Sequence, residues 1–221
     1  MRVPNIKKLN KYDFDDRLYE TRCLGKTEPV VYKERFEFLD EKAKLNFISK
    51  VEKIIRRSIE YKNFIKFLKD ELDMEECTFF TKLKEKCKNI KIEIHHEPFC
   101  LFDLVHICIN MFMEYRYTLN EFAIAEEVMK WHYMGLIGLI PLSSTVHGLV
   151  HDGEIFIPIN YPYGDIKGFY EEYHQFMTEN HREMFATIIE RSVHHKNIVP
   201  DVLKKRYVYL NVDGFELPRN I

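Results

Sequence analysis

Apolar positions recur with a helical period over much of the chain. Asp40 can cap a helix reaching to about Leu72, whose first half sets Leu45, Ile48, Val51, Ile55 and Ile59 on one stripe, with Lys50, Lys53 and Arg57 opposite. Tyr61, Ile65, Leu68 and Leu72 continue on a stripe rotated by roughly half a turn, so the helix either breaks near Glu60 or passes between two packing partners. Between Phe102 and Phe112 the chain is densely apolar, with Leu104, Val105, Cys108, Met111 and Phe112 at helical spacing. Asn120 then caps a helix from Glu121 to about Met134, burying a broad face of Phe122, Ile124, Ala125, Val128, Met129 and Trp131 and ending at Gly135. These two make an antiparallel helical hairpin. Asp165 starts a helix with Phe169, Tyr173 and Phe176 on one face, and a last helix spans about Glu179 to Val193.

Period-two alternation is confined to a few short pieces. Ile92 and Ile94 alternate with Lys91 and Glu93, a half-buried strand that ends where Pro98 withholds a ladder donor. The run from Leu136 to Leu142, interrupted by Gly138 and Pro141, reads as a second strand, and residues 154–159 alternate as an edge strand around Pro158. A terminal strand is expected at Tyr207–Val212, and residues 1–38 read as an irregular arm. The expected fold class is therefore α+β: one mainly helical domain around a small strand–strand–helix core. Its parts are an arm and long helical region (1–90), a core (91–160) interrupted by the hairpin (about 99–134), and C-terminal helices with the terminal strand (161–221).

Chemistry concentrates in two histidine clusters. His95 and His96 end the first strand, where neighbours point to opposite faces and can serve different ends. After the second strand, Ser143, Ser144 or Thr145 can cap a helix that Gly153 stops, and His147 and His151 lie one turn apart on its face. Two imidazoles so spaced can hold one metal ion if a third ligand arrives from elsewhere. The first histidine pair is the evident supplier.

Strand, loop, strand and a helix carrying His-x3-His is the layout of the ββα-metal finger, and here the chain resembles the HNH endonucleases, including phage proteins of that kind. The likeness rests on Lys91–Pro98 and on Pro-Leu-x4-His-x3-His-x-Gly over residues 141–153. It implies that His96 is the general base activating water, and that His95, His147 and His151 bind a single divalent ion. Zinc, magnesium, manganese and nickel all stay open; three histidines favour the softer ions. It further implies a nucleic-acid substrate, DNA ahead of RNA. The family's central Asn falls on Gly138, with Asn160 as substitute, and the Cys-x2-Cys of many members falls on Ser143 and Val146, so no zinc knuckle is expected there.

Composition narrows the setting. A net charge of −2 excludes a wholly basic nucleic-acid coat and leaves a local patch, for which Lys50, Lys53, Arg56 and Arg57 are the candidates. Lys82, Lys84, Lys86 and Lys88 read as a solvated strand edge, and His194-His195 as a repeat without a His-x3-His partner. Five cysteines without Cys-x2-Cys spacing read as reduced thiols. No apolar run is long enough for a membrane span and the N-terminus lacks a signal-peptide core, which points to the host cytoplasm of a phage. A second function class stands beside the nuclease: a non-catalytic phage protein using the finger as a structural zinc site for assembly or nucleic-acid binding.

Overall fold

A computed structural model describes residues 41–80 and 90–193. Asp40, the four alternating lysines, the His194-His195 pair, the N-terminal arm and the expected terminal strand lie outside them.

The order is α1 (Glu41–Arg57), α2 (Ile59–Glu71), β1 (Ile92–His96), α3 (Leu101–Glu114), α4 (Glu121–Tyr133), β2 (Leu139–Ser143), α5 (Ser144–His151), α6 (Ile166–Tyr173), a 3-10 turn (His174–Phe176) and α7 (Glu179–Val193). Helices dominate, and the two strands form one antiparallel sheet, as the patterning predicts. The long first helix does break, at Ser58. Its Oγ accepts from the Tyr61 amide at 3.0 Å, capping α2, and donates to the Ile55 carbonyl at 2.8 Å at the end of α1. A side chain that bonds the backbone locally at both sides offers the chain an alternative to continuous helix.

The apolar faces meet in one core. Helix α1 contributes Phe47, Ile48, Val51 and Ile55, and packs across both helices of the α3–α4 hairpin. Trp131 of α4 is fully buried between Phe169 and Tyr173 of α6, with ring centroids 5.2 and 4.7 Å away. Three expected core positions turn out to be surface: Leu45 is 44%, Ile59 67% and Phe122 45% exposed, because each sits in the first turns of its helix, at the margin of the packed face.

Strand β1 pairs with β2 in the register Ile92↔Ser143, Ile94↔Pro141 and His96↔Leu139. Pro141 brings no amide, and its carbonyl instead receives both the amide and the hydroxyl of Thr78. The expected strand at 154–159 does not form. Its amides are spent elsewhere, Ile159 N–H on Ser192 Oγ at 2.8 Å, while an isolated bridge joins Leu139 of the sheet to Tyr163.

Gly138, at the mouth of β2, is set by close approach. A Cβ there would stand 1.8 Å from the Glu97 carbonyl oxygen and 2.7 Å from Ile166 Cδ1, while the Glu97 amide donates to Gly138 O at 3.0 Å. The backbone just past β1 leaves no room for any side chain, so the Asn of the HNH pattern could not stand here. Gly138→Ala should therefore destabilise the protein by on the order of 3 kcal/mol, through overpacking against backbone that cannot give way. Urea denaturation measures this; a loss under about 1 kcal/mol would mean that the strands separate more easily than this packing implies.

Candidate metal centre

The sheet and α5 bring three of the four histidines together. His95 on β1 faces α5, where His147 and His151 stand one turn apart. Ring centroids are 5.0 Å (His95–His147), 5.2 Å (His95–His151) and 4.5 Å (His147–His151). One donor nitrogen from each ring lies within 4.8 Å of the other two. The Nε2 atoms of His147 and His151 are 3.2 Å apart. Two ligands about 2.0–2.1 Å from a tetrahedral ion stand roughly 3.3 Å apart, so this donor pair fits zinc or a similar ion.

Helix α5 begins where the sequence suggests: Ser143 Oγ accepts from the Val146 amide at 3.4 Å. The short helix buries one side chain, Val146, so its histidines stay near the surface while His95 is only 7% exposed. Burial, and next the neighbouring His95, hold His147 below its ordinary value, which keeps it neutral and able to donate a lone pair at pH 7.

Two carboxylates attend the cluster, and they were not singled out from the sequence. Glu93 Oε2 lies 2.8 Å from His147 Nδ1, and Glu97 Oε2 lies 3.4 Å from His95 Nε2. Their signal was available: Glu93, His95 and Glu97 alternate, so all three take one face of the strand.

His96 goes the other way. It is 6% exposed, its ring lies parallel to Tyr61 at 6.4 Å, and its Nε2 is 2.9 Å from Nε2 of His132. His132 is 1% exposed and its Nδ1 is 2.7 Å from the Val128 carbonyl, which can only accept. His132 therefore carries its proton on Nδ1 and accepts at Nε2, and His96 donates from Nε2. His132 is part of the core, with Tyr61 and Phe64 edge-on to it.

The remaining candidates are Asn160 and the basic residues of α1. Asn160 is 6% exposed, with an Oδ1 that has no hydrogen-bond partner among the described residues. Lys50, Lys53, Arg56 and Arg57 are all exposed on α1, and Arg56 pairs with Glu52 at 3.6 Å. No described helix is long and apolar enough to cross a membrane.

Comparison with known proteins places the chain. The profile of the bacteriophage G278-like virion proteins matches residues 5–215. The chain belongs to this family. No curated protein and no solved structure matches it. This virion-family protein is thus a phage protein, and the three-histidine cluster is a feature of its own fold.

The buried pair gives the protein a defined response to acid. Burial lowers His132 to about 4, and burial with His132 and Arg56 pushes His96 well below its ordinary 6.5. Unfolded, both rings take up protons near pH 6.5; folded, they do not. Stability is therefore greatest above that pH and falls as pH drops toward about 4, by up to ~1.4 kcal/mol per pH unit for each ring. Urea midpoints of metal-free protein from pH 7.5 to 5 should show the fall, with a shallower slope for His132→Gln. A flat wild-type profile would mean that the folded pair accepts protons.

Proposed function

We propose that this phage protein holds one divalent ion at His95, His147 and His151, and that the ion serves as a structural tie between β1 and α5. The observation that carries the reading is the convergence of three imidazoles from two elements onto one point. An isolated eight-residue helix is far too short to be stable in water, and α5 buries only Val146 fully, with Val150 partly buried against the core. A tie to the sheet supplies what packing does not. Imidazole donors favour zinc over magnesium.

Two features support a tie over a hydrolytic centre. His96, the residue that would activate water by likeness to the HNH endonucleases, is occupied in the interior with His132. Glu93, which is shared with Lys91, and Glu97 also set carboxylates beside the donors, which lowers the net charge a bound dication would present to a phosphate.

One observation favours a second reading, metal-dependent cleavage of nucleic acid with Lys50, Lys53, Arg56 and Arg57 contacting phosphates. The cluster is open on its His151 side, since His151 is exposed and the His147 side chain is 26% exposed. Catalytic sites keep such an open position for water or substrate. That reading requires His96 to leave His132, or a base from another residue.

The purified protein should carry one zinc per chain by elemental analysis. Zinc at 100 times its dissociation constant adds about 2.7 kcal/mol, so removing it should lower Tm by roughly 5–10 °C. His147→Ala should melt like the chelated wild type and ignore chelator. Ion-dependent plasmid nicking by wild type that His147→Ala lacks would instead establish the second reading. Absence of both bound metal and a chelator effect would overturn the metal site itself.

A further inference from the structure

We propose that Glu93 is the positioning residue of this centre: it fixes the tautomer of His147 and clamps the first turn of α5 to β1 before any ion is bound. Its purpose rests on the metal-binding reading above, while its geometry belongs to the metal-free chain.

The two oxygens of Glu93 divide the work. Oε2 lies 2.8 Å from His147 Nδ1. A carboxylate only accepts, so the proton sits on Nδ1 and the lone pair is left on Nε2, the atom that faces His151 Nε2 at 3.2 Å. Oε1 receives Lys91 Nζ at 2.6 Å and the Ser144 hydroxyl at 3.5 Å. Ser144 is the first residue of α5, and its amide also donates to Lys91 O at 3.2 Å. One strand carboxylate thus grips the helix at its first residue and again one turn later, at the ligand.

The tautomer is the part that matters for binding. With the proton on Nε2, His147 would offer hydrogen where the ion needs a lone pair. Carboxylates behind metal-bound histidines commonly act in this way, and their loss weakens binding by about 10–100-fold. Lys91 Nζ, 2.6 Å from Oε1, holds the carboxylate in place through the oxygen that His147 does not use.

The full-length protein decides it, as wild type, Glu93→Ala and Glu93→Gln. Zinc affinity is measured by competition with a chromophoric chelator, and the His147 tautomer by nitrogen-15 NMR of the metal-free proteins. Wild type should show His147 protonated at Nδ1. Glu93→Ala should bind zinc about 10–100-fold more weakly and move the His147 proton to Nε2. Glu93→Gln retains an acceptor oxygen, so it should keep the tautomer and lose less affinity; it also serves if Glu93→Ala does not fold. Glu93→Ala with affinity within twofold of wild type and His147 still protonated at Nδ1 would overturn the proposal, as would wild type protonated at Nε2. Wild type that binds no zinc would defeat the metal-binding reading alone, because the tautomer of His147 still tests Glu93.

Discussion

The antiparallel pairing of β1 with β2 is the constraint on which the rest depends. A two-stranded ribbon is marginal in water on its own. Here it persists because helices cover it and its irregular points are provided for: Thr78 takes up the Pro141 carbonyl, and bare Gly138 lets the Glu97 backbone come close. A slip of one residue would exchange the faces of every side chain on β1. The register therefore decides which histidine meets α5 and which enters the core.

That division gives adjacent, chemically identical residues opposite environments. His95, itself 7% exposed, stands beside the two imidazoles of α5 and a carboxylate, a set of donors for a metal ion. His96 stands between Tyr61 and His132, in a buried setting that disfavours charge on its own ring. The first is suited to a cation; the second is suited to sharing a single proton along one direction, from His96 to His132, with Val128 at the far end. Both are satisfied polar arrangements, and neither tolerates the other's partner.

Much of this is legible in the residues. The helical stripes of α1, α3, α4 and α6 follow from period, and the caps at Asn120, Ser143 and Asp165 from residue type. The His-x3-His spacing and the strand before it were enough to bring His95, His147 and His151 into one group. What stayed hidden depends on tertiary contact. Alternation puts His95 and His96 on opposite faces but does not say which face the core takes, and that was settled by α2 and α4 packing over His96. The strand expected at 154–159 had the right alternation and lost to partners that sequence does not display, such as Ser192. Glu93 and Glu97 share the His95 face by period, and only the fold shows which imidazole each one meets.

The hairpin inserted between the strands couples distant parts of the molecule. His95 precedes α3 and α4, and His147 and His151 follow them, so the donors are neighbours only while that hairpin is in place. Any ligand that binds the assembled trio and not the unfolded chain shifts the folding equilibrium of the entire domain. An ion held there would stabilise helices that it never touches, and a loosened hairpin would release it. Occupancy of the trio becomes a report on the integrity of the surrounding fold.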